Sequence, residues 1–271
     1  MDRALVALVE AVIAAAPMQA LWQIKDRGMP VFAHTVDVTL LSLAAFPEWR
    51  ERFPGLNLRA IAIASLLHDL NKASARRSGD TSHSKVMSTD PAQALGEAVD
   101  VLQAAQWQAG VRLAAADVDH IWHIVVSHHG RWGKIQPQTP EAILVHQCDF
   151  QSAIAHRLAP IDASDILPLL DQGLRWREVA ARLEVTSGVV RDRLREACRA
   201  ERVADPPELL RIWRRRGYVV TGTLQRMRQF EELRAVIGEA RRAPANIVRC
   251  LHALSGGKDG TRPARHAESD S

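Results

Sequence analysis

The sequence contains few cysteines and few aromatic residues. Its three cysteines, Cys148, Cys198 and Cys250, are far apart and form no CxxC spacing. This argues against a disulfide framework and against a cysteine zinc site. Aromatic residues make up 5% of the chain, β-branched runs are short, and alanine, leucine and arginine dominate. That composition favours helices over sheets.

The chain also lacks a long uninterrupted apolar run. The N-terminal stretch ALVALVEAVIAAA contains Glu10 and follows Asp2. Both acids argue against a signal peptide, and the stretch is shorter than the roughly 20 residues that span a bilayer. We therefore predict an amphipathic first helix, a cytoplasmic protein and no membrane partner.

Charge is divided unevenly along the chain. Residues 1–170 hold 14 Lys+Arg and 17 Asp+Glu, whereas residues 171–271 hold 21 and 14. An acidic first part joined to a basic second part indicates a catalytic or structural body with a segment that meets an anionic partner.

Apolar periodicity and breaks divide the chain into three parts. Helices are predicted over residues 3–16, 31–46, 58–70, 91–107, 117–129 and 140–157. The polar stretch ARRSGDTSHSKVMSTD predicts an ordered loop or a flap, and LAPIDASDI marks a boundary. We expect domains at 1–160 and 161–254, and a disordered polar tail at 255–271.

Several histidines and acids interrupt apolar helix faces. His34 lies on the apolar face of VFAHTVDVTLLSLAAF, and the pair His68-Asp69 ends the apolar run AIAIASLL. The side chains of adjacent residues on a helix point about 100° apart, so His68 and Asp69 can bind one ion only where the helix faces a cleft or ends. Taken singly, a core histidine bonded to a backbone carbonyl, or a capped helix end, explains each of them.

Two further segments add candidates. On a helical wheel of the segment DVDHIWHIVVSHHGRWG, His128 and His129 lie on or beside the apolar face. His120 and His123 lie on the opposite side, which is expected to face solvent. Asp149 lies on an apolar stripe of PEAILVHQCDFQSAIA, where a carboxylate needs a metal or an arginine partner. Jointly these imidazoles and carboxylates suit a divalent metal such as Mn²⁺, Fe²⁺ or Zn²⁺.

On these residues the sequence resembles the HD-domain metal-dependent phosphohydrolases over about residues 30–157. His34, the pair His68-Asp69 with Lys72, and Asp149 carry the resemblance, together with the segment SHHGRWG. The stretch VVSHHGRWGKIQPQTPEAILVHQCDFQSA is most similar to the subgroup of 3′→5′ exoribonucleases that contain an HD domain. The sequence departs from the family at Asn71, where glycine is common, and asparagine also accepts unusual backbone angles.

The resemblance implies an all-α HD-domain helical bundle with one or two divalent ions (Mn, Fe, Ni or Mg). His34, His68, Asp69 and Asp149 would hold the first ion. His128 and His129 would hold a second, with Asp69 as the bridge and His83, or failing that His123, as a further ligand. Asp69, Lys72 and Arg131 would be catalytic, since metals and cations neutralise phosphate oxygens while water attacks phosphorus. Lys72 and Arg131 as plain surface residues are the alternative.

The second part has a different pattern. A helix over 162–172, the helix WREVAARL and the helix SGVVRDRLREACRA, capped by Thr186 or Ser187, resemble a regulator-type helix-turn-helix. We therefore expect a small helix-turn-helix or winged-helix-like module. The candidate nucleic-acid-binding residues are Arg191, Arg193, Arg195, Arg214 and Arg215. A three-helix packing module with a solvated arginine face is the alternative.

These observations favour a metal-dependent phosphohydrolase that cleaves phosphodiester bonds of single-stranded nucleic acid, RNA or DNA. A nucleotide phosphohydrolase is one alternative. A DNA-binding regulator with a non-catalytic HD domain is another, and a di-iron oxygenase is compatible with the same ligands. The native metal and the oligomeric state stay open.

Overall fold

The computed structural model describes residues 2–26, 29–73, 83–156, 161–183, 185–220 and 224–256. Within these residues the chain forms fourteen α-helices and one pair of short antiparallel strands, which confirms the all-α expectation. The helices are α1 Arg3–Ala14, α2 Ala16–Ala20, α3 Val31–Arg52, α4 Leu58–Leu67, α5 His83–Thr89, α6 Leu95–Ala109, α7 Ala115–Ser127, α8 Pro140–His156, α9 Ala163–Asp171, α10 Trp176–Arg182, α11 Ser187–Glu201, α12 Pro206–Arg216, α13 Leu224–Ala240 and α14 Ala243–Gly256. The strands are β1 Lys25–Asp26 and β2 Met29–Pro30, and 3-10 turns cover Leu21–Gln23, Pro91–Ala94 and Gly130–Trp132.

Local chemistry explains several helix starts. The side chain of Asp2 accepts a hydrogen bond from the Leu5 N–H at 3.1 Å and caps α1. Asn57 caps α4 in the same way through the Ala60 N–H. Each cap satisfies a backbone donor that the first helical turn leaves without a partner.

Helix α3 is longer than the sequence predicted. It continues past residue 46 through Pro47 to Arg52. A proline inside a helix removes one backbone hydrogen bond. Phe46 and Trp49 flank this proline and pack on the core, and their packing offsets that loss.

The first core is built around α3. This helix is buried on most sides, and α4, α8, α13 and α14 pack against it, while α1 packs against α6. Helix α4 is also buried from Ala60 to Leu67, and Ser65 is the one polar residue in that stretch. The two central helices therefore lie inside the bundle, where any polar side chain must find a partner.

Helices α13 and α14 belong to this first core. Their buried residues Leu233, Ala240, Ala243, Ile247 and Leu251 pack with the residues of α1 and α3. The sequence interpretation had grouped residues 161–254 together, so the observed packing differs from it. Apolar spacing predicts that a helix has a buried face, but it does not identify the surface that covers that face.

A second core holds α9 to α12. It contains Ile166, Leu167, Val190, Leu194 and Leu209 among its buried residues. The Thr186 side chain accepts a hydrogen bond from the Val189 N–H and caps α11, as the sequence predicted. The order of helices is compatible with the expected helix-turn-helix, which stays a prediction.

Two segments of the sequence interpretation fall partly outside the described residues. The predicted loop or flap includes residues 75–82, which are not described, and its remainder begins with α5 rather than with an irregular loop. The predicted disordered tail lies outside the description from residue 257 on, and α14 reaches Gly256.

No single helix in the described part of the chain has the length and hydrophobicity to cross a membrane. Arg3–Ala14 and Ala16–Gln23 pass that test only as a pair, and they are bent by 52° relative to each other.

Candidate metal centre

Three helices bring the predicted histidines and acids together. His34 lies in the first turn of α3, Asp149 lies in α8, and α4 ends at Leu67, directly before His68 and Asp69. His68 keeps a helical backbone at this helix end, with φ −58° and ψ −35°, yet its Nε2 still lies 3.5 Å from the Oδ2 of the adjacent Asp69. His34, His68 and Asp69 are each about 1% exposed.

The ligand atoms of these residues converge. The Nε2 of His34 lies 2.9 Å from Oδ1 of Asp149 and 3.6 Å from Oδ2 of Asp69. The Nε2 of His68 lies 3.5 Å from Oδ2 of Asp69 and 3.8 Å from Oδ1 of Asp149. One potential ligand atom from each of His34, His68 and Asp69 lies within 4.8 Å of the other two.

Backbone carbonyls orient two of the imidazoles. The Nδ1–H of His68 donates to the Ser65 carbonyl at 2.7 Å, and the Nδ1–H of His128 donates to the Val125 carbonyl at 2.6 Å. Each bond reaches back three residues and fixes the proton on Nδ1. The Nε2 atom of each neutral ring then carries the lone pair that binds a metal.

His34 is held at both ring nitrogens. Its Nδ1 pairs with the Ser152 hydroxyl at 2.9 Å, and its Nε2 pairs with the Asp149 carboxylate. Ser152 is buried and lies one helical turn after Asp149 on α8. One helix therefore supplies both a carboxylate at the centre and a hydroxyl that positions the opposing imidazole.

The residues present fit a divalent cation. The buried Nε2 of His68 makes no hydrogen bond to the described residues. A buried polar atom left without a partner costs about 1–3 kcal/mol. A cation between imidazole nitrogens and carboxylate oxygens would satisfy that atom and offset the buried negative charge of Asp69. The mixed nitrogen and oxygen donor set suits Mn, Fe, Zn or Ni.

The carboxylates and imidazoles shift each other's titration. Burial acts to lower the pKa of His68, but the charges of Asp69 and Asp149 outweigh it, so the pKa is raised above 6.5. Burial acts to raise the pKa of Asp149, but the His34 hydrogen bond and the neighbouring imidazoles hold it well below 3.8. The cluster thus favours ionised carboxylates, as metal ligation requires.

Lys72 lies at the same centre. Its Nζ is 2.6 Å from Oδ2 of Asp69 and 3.3 Å from Oδ2 of Asp26 on β1. The Lys72 side chain is 11% exposed, so it is not a solvated surface lysine. Asn71, next to it, does not have a positive φ, because Arg202 is the only non-glycine residue with a positive φ in the described part of the chain. Asparagine's tolerance of unusual backbone angles is therefore not needed here.

The described residues bring part of the predicted second metal position together. The Nε2 of His128 lies 3.8 Å from Oδ1 of Asp69, and the half-buried His129 ring lies 4.6 Å from the His128 ring. His83 begins α5, but its side chain is outside the described part of the structure. His123 does not join the cluster, because its Nε2 accepts a hydrogen bond from the Gln138 N–H.

The expectation that His120 and His123 face solvent is wrong. His120 packs under α8, with its Nε2 3.2 Å from the Thr139 hydroxyl and 3.3 Å from Glu141. His123 is half-buried, and both burial and the nearby His120 lower its pKa. The segment before α8 covers the helix side that a wheel assigned to solvent.

Arg131 lies outside the centre, on the 3-10 turn that follows the histidine pair. Its side chain is exposed, and its guanidinium carbon is 4.4 Å from the centroid of the Trp132 ring. It has no contact with the metal-ligand candidates among the described interactions.

The predicted nucleic-acid-binding arginines differ in their surroundings. Arg191 and Arg215 are exposed. Arg195 is exposed and pairs with Asp192 at 3.3 Å, and Arg214 is exposed and pairs with Asp171 at 2.6 Å. Arg193 was expected to reach outward, but its side chain is 11% exposed and pairs with Glu196.

Three positioning residues were missed by sequence reasoning. Ser152 holds His34, Asp26 contacts Lys72, and the Nδ1–H of His146 donates to the His128 carbonyl at 2.6 Å. The spacing of Ser152 from Asp149 was a usable signal, since residues three apart share a helix face. Nothing in the sequence links Asp26 or His146 to the centre.

Comparison with curated proteins gives no match, and comparison with solved structures gives none either. A family model does match part of the chain. Its residues 31–153 match the family described as HD domain. The matched segment contains His34, His68, Asp69, His128 and Asp149, the residues that the structure gathers into one buried cluster. The match supports assignment of this segment to the HD-domain superfamily, whose members include metal-dependent hydrolases.

Proposed function

We propose that this protein is a metal-dependent phosphohydrolase that cleaves phosphodiester bonds in single-stranded nucleic acid. The observation that carries the proposal is the buried His34–His68–Asp69 group, whose ligand atoms lie within 4.8 Å of one another. This group lies inside the segment that matches the HD domain.

Each residue has a defined role in this proposal. His34, His68, Asp69 and Asp149 would hold one ion, and His128 with His129 would contribute to a second beside Asp69. When bound, such ions supply a water of lowered pKa and neutralise charge on phosphate oxygens. Asp149 is 14% exposed, so the centre is open to solvent on the α8 side.

Lys72 supports phosphate chemistry at this position. Its ammonium pairs with a buried ligand carboxylate and is itself partly accessible. There it orients Asp69 and adds a positive charge next to the place where a phosphate would bind. In a hydrolase acting on uncharged substrates, that charge would serve only to compensate Asp69.

A polymeric substrate accounts for the basic second part. Exposed Arg191, Arg195 and Arg215 lie on α11 and α12, and the chain from residue 171 carries an excess of Lys and Arg. Such arginines suit contacts to a nucleic-acid backbone that are independent of sequence. The ion pairs of Arg195 and Arg214 are exposed, where such pairs contribute little and can exchange for phosphate.

The test is cleavage of end-labelled single-stranded RNA and DNA by the purified full chain with Mn²⁺. Asp69→Asn keeps the side-chain shape but removes the charge, and Asp100→Asn on α6 is the matched control at an exposed carboxylate. We expect shortened products from the wild type and the control, and none from Asp69→Asn. Intact strands in every lane, with turnover on a nucleotide panel, would replace the proposal by a nucleotide phosphohydrolase.

A further inference from the structure

Two exposed aromatic side chains adjoin the metal-ligand candidates in the chain. Trp132 is 50% exposed and Phe150 is 43% exposed. Their rings are stacked, with centroids 5.5 Å apart and planes inclined by 22°. Large apolar side chains grouped at the surface commonly mark a binding site.

The chain fixes this pair close to the centre. Phe150 directly follows the ligand candidate Asp149 on α8, and Trp132 is the third residue after His129. The turn that joins the histidine pair to Trp132 is held by two contacts: Gly130 packs against the His146 ring, and that ring donates a hydrogen bond to the His128 carbonyl. The chain thus attaches both aromatic rings within a few residues of the metal-ligand candidates Asp149, His128 and His129.

A cation completes the arrangement. The guanidinium of Arg131 lies over the Trp132 ring at 4.4 Å. A positive charge and two aromatic rings therefore lie together at the surface, on segments that also carry the metal-ligand candidates His128, His129 and Asp149. A nucleotide unit has the matching parts, a flat base joined through its sugar to a phosphate.

We propose that Trp132 and Phe150 form a base-stacking subsite of the metal centre, with Arg131 on the adjoining backbone phosphate. This inference rests on the proposed function and specifies its substrate. Bases in a duplex are already stacked on each other, so an aromatic platform selects a strand whose bases are free. The subsite would accept any base, because every base offers a flat face.

The test compares two strands of equal length with the full-length protein and Mn²⁺. One is oligothymidylate, or oligouridylate if RNA is the strand that is cut. The other carries a tetrahydrofuran abasic unit in place of every nucleoside. Variants are Trp132→Ala, Phe150→Ala and Trp132→Phe. The control is Trp107→Ala, at a tryptophan that is 90% exposed on α6 and distant in sequence from the centre.

We expect Trp132→Ala and Phe150→Ala to lower kcat/KM on the base-bearing strand by about tenfold or more, mostly through KM. Cleavage of the abasic strand should hardly change. Trp132→Phe should keep most of the activity, and Trp107→Ala all of it. Bound manganese, measured in each variant, should equal that of the wild type.

Four results would overturn the inference. Equal losses on both strands would show that the pair only supports the fold of the turn. No loss on either strand, or dissociation of an oligomer in the variants, would assign the pair another role. Wild-type protein that cuts neither strand would overturn the proposed function as well, so the two failures are distinguishable.

Discussion

The ammonium of Lys72 lies 2.6 Å from the Oδ2 atom of Asp69. The same oxygen faces the Nε2 atoms of His34 and His68, at 3.6 Å and 3.5 Å. One buried carboxylate oxygen is thus shared by a lysine and two potential metal ligands. The lysine compensates the charge of Asp69 whether or not a metal is bound.

This pairing predicts a stability change that depends on metal. Lys72→Gln leaves Asp69 as a buried, poorly compensated carboxylate, which costs about 3–5 kcal/mol when one partner of a buried pair is removed. A bound divalent cation takes over much of the compensation. We therefore expect a large fall of the unfolding free energy in EDTA and a smaller fall with Mn²⁺.

Denaturant unfolding monitored by circular dichroism measures both values. Lys25→Gln on β1 is the control, because Lys25 is an exposed lysine, and it should change little. Equal losses with and without Mn²⁺ would show that Lys72 and the metal do not share the charge of Asp69.

The metal-dependent stabilisation should depend on pH. In metal-free protein the pKa of His68 is raised above 6.5: burial lowers it, but Asp69 and Asp149 raise it by more. When folding raises the pKa of a histidine, the protonated ring stabilises the folded state. This stabilisation is complete below the pKa of the unfolded chain and is lost as the pH rises through the pKa of the folded protein. Metal needs the neutral ring, so its affinity increases over that same interval.

We therefore expect the difference in Tm between Mn²⁺-loaded and EDTA-treated protein to be larger near pH 8 than near pH 6. Thermal unfolding at the two values measures it. His68→Gln should flatten the trend, because it removes the titrating ligand. If the Tm difference of the wild type were the same at pH 6 and pH 8, the assignment of His68 as a metal ligand would be contradicted.

Ser152 provides a test of the positioning bonds. Ser152→Ala removes the hydroxyl that lies 2.9 Å from Nδ1 of His34, but it leaves every ligand atom in place. Loss of such an outer partner typically weakens metal binding about 10–100-fold. Titration with Mn²⁺ measures the change. Ser88→Ala, at an exposed hydroxyl that bonds a backbone carbonyl, is the control, and equal affinities in both variants would contradict the role of Ser152.

The sequence predicted the centre better than its surroundings. His34, His68 and Asp149 could be placed by helix faces, since each interrupts an apolar stripe and a buried polar group needs a partner. The same reasoning was wrong for His120 and His123. A helical wheel gives only the direction of a side chain from its own helix. His120 and His123 contact Thr139 and Gln138, which belong to a segment before α8 whose position a wheel of α7 cannot predict.

Long-range packing limited the prediction of the basic part in the same way. Arg193 was placed on an outward face of α11, yet it is mostly buried and pairs with Glu196 one turn away. Leu233 and Leu251 have the spacing of a buried face, but their partners lie in the first core, which residues before position 150 mainly build. Apolar periodicity does not indicate which distant helix packs against a buried face.

Gly130 links the fold of the turn to the metal-ligand cluster, and its replacement gives a prediction about geometry. Its φ is +53°, and a Cβ there would overlap the His146 ring, which binds the His128 carbonyl. Gly130→Ala should cost about 1–2 kcal/mol of left-handed backbone strain, plus the displacement of His146. Gly96→Ala on α6 has open space and helical backbone, so it should stabilise the protein by about 0.5–1 kcal/mol.

Denaturant unfolding and Mn²⁺ titration of both variants provide the test. Because His146 holds His128, Gly130→Ala should also weaken Mn²⁺ binding. Unchanged binding in a destabilised Gly130→Ala variant would show that the turn and the metal-ligand cluster are independent.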